Sequence, residues 1–255
     1  MNQTSAIVHH AKSSWICLVG ALAICGAVRA DPQPAALAEK ASESTPLKLT
    51  VSSYQFSGSG PATDINLRHS SEYGNAWFGY FQSGSLDLHQ WRLGWDRSFG
   101  ESVRVSPSLQ LASQGFAGGS LQFETGSQWF VGAGIGRTNL KPYWNLNFDP
   151  NDSYSLSAGY RSDKGQTLAL LYVRDNRLSP DQRHLHAYWR QPMADAERLT
   201  LDLLYKEGLV DGSMIHRWGA SVTYDWPKFL LRVAYDPKAN FGQDNLWRFS
   251  VGTRF

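Results

Sequence analysis

The segment Asn66-Leu67-Arg68-His69-Ser70-Ser71-Glu72 holds the residue types that hydrolysis needs. His69 and Ser71 are two apart, so on a strand they share one face. There the imidazole can act as base for the serine hydroxyl, with Glu72 as the neighbour that could orient it. By parity that face also carries Ile65 and Leu67, so such a serine would meet lipid rather than water. His184 and His186 share a face in the same way and need one more donor to ligate a metal. At a loop-to-strand junction, however, they read as solvated side chains, and no metal is expected. The run Gly132-Ala133-Gly134-Ile135-Gly136 superficially suggests a dinucleotide loop. It lacks a following helix, and close approach of strands in a curved wall accounts for it better. The sequence contains no phosphate loop, H-E-x-x-H, EF-hand loop or G-x-S-x-G elbow. No cofactor is expected.

These residues need strands to place them, and strands are what the chain offers. From residue 47 onward, alternation at period 2 recurs between Gly, Asn, Asp and Pro turns. Trp218, Ala220, Val222, Tyr224 and Trp226 interleave with Arg217, Gly219, Ser221, Thr223 and Asp225. Phe229, Leu231, Val233 and Tyr235 follow the tight turn at 225–228. No window shows a helical stripe. The expected domains are a secretory signal peptide over 1–30, a periplasmic linker over 31–46 and a β-barrel over 47–255.

The signal peptide is read from Lys12, the apolar stretch that begins at Trp15, and Val28-Arg29-Ala30 before a cut near Ala30. Both cysteines, Cys17 and Cys25, lie within it, so the exported chain would have neither disulfides nor thiolate chemistry. Its removal also takes Lys12 and Arg29 from 24 basic residues and leaves 22 against 22 acidic ones. A net charge of zero argues against a nucleic-acid partner. Charged residues are only 18% of the chain, yet mean hydropathy is −0.37. A wall with one lipid-facing and one water-facing side reconciles the two values.

Alternation alone also fits a soluble sandwich. Aromatic residues at strand ends favour the membrane. Trp218 to Trp226 is eight steps, roughly 26 Å, or about 20 Å once tilted, close to the spacing of two interfacial girdles. The C-terminus then carries a resemblance. Trp247, Phe249, Val251 and a terminal Phe255 alternate with polar residues, which resembles the ending of Gram-negative outer-membrane β-barrel proteins. Thr253 departs mildly from that pattern. The resemblance implies the cell outer membrane, contact with its lipids and lipopolysaccharide, and insertion by the barrel-assembly machinery reading that strand. Chain size, the opening strand Leu49-Thr50-Val51-Ser52-Ser53-Tyr54-Gln55-Phe56 and the run of hairpins are loosely similar to YaiO-type barrels.

Fifteen segments read as strands, starting near residues 47, 62, 75, 86, 102, 118, 128, 143, 153, 166, 184, 198, 213, 228 and 245. Single-chain barrels favour even numbers, so the expectation is an all-β, antiparallel up-and-down transmembrane barrel of about 14 strands, within 12–16. The doubt falls on residues 120–147, where glycines blur the alternation. Inward parity assigns the lumen Asp64, Arg68, Arg92, Asp96, Arg104, Glu124, Asp202, Lys206, Arg217, Arg232 and Arg248. With 12–14 strands the bore lies between a filled eight-stranded barrel and an open porin. A narrow pore or export barrel for small polar solutes or envelope components is the first expectation. A non-conducting structural or surface-exposed barrel is the second, and under either reading a monomer is expected rather than an oligomer. The third is a lipid hydrolase, because His69-Ser70-Ser71-Glu72 looks like the H-x-S-N motif of outer-membrane phospholipases and lipid A deacylases. Glu72 stands where that motif has Asn.

Overall fold

A computed structural model of the chain describes residues 45–255; the signal-peptide and most of the linker assignments lie outside the described residues. Fourteen strands follow one another: β1 (Leu47–Phe56), β2 (Gly60–Ser71), β3 (Gly74–Ser83), β4 (Leu88–Asp96), β5 (Val103–Ala112), β6 (Phe116–Gly126) and β7 (Trp129–Thr138). The second half holds β8 (Ser153–Arg161), β9 (Thr167–Asp175), β10 (Arg183–Pro192), β11 (Arg198–Val210), β12 (Ser213–Asp225), β13 (Phe229–Asp236) and β14 (Leu246–Arg254). Each pairs antiparallel with its neighbours in sequence, and β1 pairs with β14 to close the barrel. Closure leaves no open sheet edge. At the seam, Leu47 and Phe255 exchange both backbone hydrogen bonds at 3.0 Å.

The two faces follow from parity. On β12, Met214, Trp218 and Val222 are exposed outward while Ile215, Gly219, Thr223 and Asp225 are buried inward. The outer wall is apolar over most of its height, with polar residues such as His69 and Ser71 near the rims: Leu109 is 62% exposed, Trp218 61%, Leu156 60% and Leu168 59%. Aliphatic residues this exposed over most of a wall match a surface solvated by hydrocarbon. Aromatics pair along it, Tyr205 with Trp218 at 5.0 Å, Tyr224 with Trp226 at 4.5 Å and Tyr235 with Trp247 at 4.9 Å.

The two rims differ. The rim that holds Leu47 and Phe255 is closed by turns at 72–73, 97–102, 127–128, 162–166, 193–197 and 226–228. The opposite rim carries the three longest connections, 139–152, 176–182 and 237–245. The expected count of about fourteen holds, and the segment near residue 143 is the surplus one among the fifteen segments that read as strands. It belongs to the connection between β7 and β8 and turns into the barrel, burying Tyr143, Leu146 and Phe148. Its apolar residues alternated with Asn145 and Asn147 and so imitated a strand. Leu140 and Phe148 take φ of 60° and 66°, which a strand does not allow.

Candidate functional site

The inner wall and the inserted segment 139–152 together define the lumen. Tyr143 stacks on Phe116 at 4.4 Å beside buried Ala112, which fastens one end of the segment to the β5–β6 hairpin. Trp144 lies 5.9 Å from Phe56 and 6.3 Å from Phe81. Its backbone is gripped by Gln90 of β4, whose amide donates to Trp144 O at 2.9 Å and accepts from Trp144 N at 2.7 Å. Leu146 and Phe148 complete an apolar cluster with Tyr54, Phe81 and Leu246. Arg248 donates to Leu146 O at 3.3 Å, and Asn240 donates to Asn145 O at 2.8 Å. At the far end, Asp149 meets His184 Nδ1 at 2.7 Å and His186 Nε2 at 2.9 Å. Polar side chains of the wall, and Asn240 of the connection 237–245, thus satisfy the backbone of Trp144, Asn145 O and Leu146 O where the segment enters the lumen.

All eleven charged residues assigned to the lumen lie on the inward parity of their strands. They fall into two environments. Near the inserted segment the charges are dry and paired. Arg92 donates to Asp64 at 2.5 Å, both nearly inaccessible, and Lys206 donates to Asp236 at 2.6 Å and to Lys238 O at 2.9 Å with its own side chain fully buried. Asp202 accepts from His186 Nδ1 at 3.0 Å. Arg248 stands over the rings of Tyr54 and Phe148. Towards the rim of the chain ends the arginines and Glu124 stay partly open, while Asp96 and Asp225 are buried. Arg68 pairs with Asp96 at 3.4 Å, and Glu124 holds both Arg104 at 3.0 Å and Arg161 at 2.8 Å. Asp225 likewise joins Arg198 and Arg254 at 2.9 and 2.5 Å. Arg232 donates to Thr223 at 2.8 Å. Arg217 lies nearer the opposite rim, across from Lys206 in the register, and is exposed, donating to His216 O at 2.9 Å. Around Glu124 and Asp225, arginines outnumber carboxylates, so this mouth has a positive bias.

Between these zones the inner face of β5–β8 is small and polar. Ser106, Ser108, Ser120, Gln122, Gly134 and Ser157 all keep partial exposure. The glycines here make room inside the wall. A Cβ on Gly134 would stand 1.9 Å from Gln122 Oε1, and one on Gly136 2.2 Å from Asn151 O. At Gly134 the room is taken by Gln122 of the neighbouring strand and at Gly136 by the inserted segment, and no helix follows the run.

The hydrolytic candidates are not assembled. His69 and Ser71 sit on the outward parity of β2, exposed, at the rim of the chain ends. His69 lies opposite Leu47 and Ala76 in the register. Ser71 Oγ donates to Gly74 O and accepts from Tyr73 N, both at 3.2 Å, as a turn hydroxyl does. Among the described residues no hydrogen bond joins His69, Ser71 or Glu72. The spacing argument delivered a shared face, but the chain turns at Ser71.

Sequence reasoning missed Asp149, Gln90 and the whole inserted segment. A signal existed: residues 139–152 were too long for a turn, and Asn145, Asn147 and Asn151 are poor strand formers. On the opposite rim Asp244 ties two connections together, accepting from Ser57 Oγ at 3.1 Å, Gly58 N at 2.5 Å and both polar groups of Ser59. Slight burial opposes its charge, but these donors hold its carboxyl below the usual carboxylate range. Trp247, Phe249, Val251 and Phe255 are exposed along the outer face of the closing strand and its end.

No protein-family model and no curated protein matches the sequence. Among solved structures, the chain is similar to the Acinetobacter baumannii outer membrane protein Omp33, with a TM-score of 0.54 at 12% identity, covering 83% of this chain and 98% of that one. Lower similarity is found to the NanC porin, TM-score 0.46 at 9% identity over 81% of this chain and 100% of that one. The KdgM porin gives 0.41 at 12% identity over 82% and 99%. The fold is that of Gram-negative outer-membrane β-barrels: a closed antiparallel barrel of fourteen strands.

Proposed function

We propose that the protein is a narrow passive pore of the Gram-negative outer membrane, admitting small polar solutes past the inserted segment 139–152. The observation that carries this reading is the partly exposed serine and glycine wall of β5–β8 running beside a buried plug. A barrel with a purely structural role has no need of small polar residues facing an unfilled side. The arginine bias around Glu124 and Asp225 favours anionic over cationic solutes at that mouth. The apolar belt meets outer-membrane lipid and, on the outer leaflet, lipopolysaccharide. The closing strand with Phe255 is the segment offered to the barrel-assembly machinery. The closed sheet leaves no edge for pairing with a second copy, and we take the barrel to act as a monomer. Placing the chain ends in the periplasm puts the three long connections outside, in keeping with the usual short inner turns. The likeness to YaiO-type barrels in size and strand rhythm belongs to this same reading.

Single-channel recording in planar bilayers tests it. The wild type is expected to give small, discrete conductance steps. Replacing residues 142–150 by a short Gly-Ser link should enlarge them several-fold, because the plug and its tethers leave together. Silence from both proteins, each shown folded by heat-modifiable gel migration, would replace the pore with the non-conducting barrel.

A further inference from the structure

His184 and His186 stand two apart on β10 and so project side by side into the barrel, their rings 6.1 Å apart. The inserted segment returns across the lumen and sets Asp149 between them. His184 Nδ1, His186 Nε2 and a carboxylate oxygen of Asp149 then lie within 4.8 Å of one another. His184 is 1% exposed and its Nε2 has no hydrogen-bond partner. The outer nitrogen of His186 is engaged by a second carboxylate, its Nδ1 lying 3.0 and 3.1 Å from the two oxygens of Asp202 on the next strand. A metal-binding histidine is ordinarily oriented in this way, by a carboxylate on the nitrogen facing away from the ion. A cavity of about 70 Å³ opens beside the cluster, bordered by Asn147, Leu204 and Ser221, with space for water as a further ligand. The ammonium of Lys206, opposite His184 in the register, is turned to Asp236 and Lys238 O, so its charge is already met.

We propose that Asp149, His184 and His186 form a binding site for a borderline divalent cation of the zinc class. Two imidazoles and one carboxylate are the donor set such ions select over calcium or magnesium. A tetrahedral zinc ion places its ligand atoms roughly 3.4 Å apart, so Asp149 withdraws by about half an ångström to admit it. As the ion enters, His186 releases its Nε2 proton to solvent and keeps its Nδ1 proton on Asp202, while the His184 proton moves from Nδ1 to the unpartnered Nε2, which leaves Nδ1 free as a ligand. The bound ion fastens the inserted segment to β10 at the end opposite the Tyr143–Phe116 stack. This is a property of the folded lumen and does not depend on whether the barrel conducts.

The untagged barrel, folded in detergent and titrated with zinc chloride by calorimetry, gives the test. One zinc per chain is expected, with heats that change with the buffer because protons are released. His184→Gln should abolish this stoichiometric binding. Asp202→Asn touches no ligand atom and should weaken it by about 10- to 100-fold, with heat-modifiable migration retained. A variant with Gln at the exposed His69, His89 and His216 should bind as the wild type does. Absence of saturable zinc binding by the folded wild type would overturn the site. So would undiminished binding in folded His184→Gln, or its loss in the surface variant.

Discussion

Midway along β5–β8 the inward positions carry Ser106, Ser108, Ser120, Gln122, Gly134 and Ser157, and they remain partly exposed, while Ala112 and Phe116 beneath Tyr143 are buried; on β1–β4 the inward Tyr54, Phe56, Trp77, Phe81 and Arg92 are buried. One alternation rule builds both sides, with apolar residues turned outward in each. What differs is the size of the inward side chain and whether residues 139–152 lie over it. The buried interior of this barrel is thus made by a connection laid across the lumen, and the wall has evolved two inner surfaces, one to receive it and one to leave space. Charges divide in the same way: pairs under the segment are dry, and pairs towards the rim of the chain ends are wet.

The largest effect that tests this contrast is at the dry pair. Asp64→Ala would leave the Arg92 guanidinium buried without its carboxylate, at a cost of about 3–5 kcal/mol. Urea unfolding of the folded barrel in detergent or lipid reads it. A loss below about 1 kcal/mol, the range of exposed pairs, would mean that water reaches Arg92 and that this side is not sealed.

Much of this architecture is written in the period-2 pattern. Trp247-Arg248-Phe249-Ser250-Val251 declares strand, faces and membrane side at once, because lipid demands apolar residues outward wherever the strand crosses. The inner face is under no such uniform demand. Lys206 and Asp202 looked like lumen residues on the same footing as Arg232, yet Lys206 is fully buried and Arg232 is not. That depends on Asp236, Lys238 O and the ring of Phe241, some thirty residues on in sequence, which no local pattern around position 206 encodes. The histidine pair shows the same limit. His184 and His186 were visible as neighbours, but their third partner, Asp149, arrives through a fold-back whose own spacing imitated a strand. His69 and Ser71 show the converse, since local spacing gave them a shared face but said nothing of the turn that engages the Ser71 hydroxyl with Tyr73 N and Gly74 O.

An intermediate effect separates the walls by glycine. On the dry side, a Cβ at Gly94 would stand 2.2 Å from the ring of buried Trp77. Gly94→Leu is therefore expected to cost about 1–3 kcal/mol in unfolding free energy. On the wet side, Gly134→Ala meets only the end of the Gln122 side chain, which can swing into the open lumen. That variant should unfold like the wild type and reduce single-channel conductance. Equal destabilisation by the two would show that β5–β8 is packed as tightly as β3–β4.

The smallest effect on stability is expected where the wet wall meets the arginine-rich mouth. Glu124 is shared by Arg104 and Arg161, whose side chains keep 30% and 16% exposure, so solvent already screens these charges. Glu124→Gln should change stability by no more than about 1 kcal/mol. It removes one negative charge from a mouth with excess arginine, and the local potential becomes more positive. The reversal potential in a salt gradient should then move towards greater anion preference, most at low ionic strength, where the Debye length exceeds about 10 Å. An unchanged reversal potential in a conducting channel would place the ion path away from Glu124, and the wet side of the lumen would have to be sought on another part of the wall.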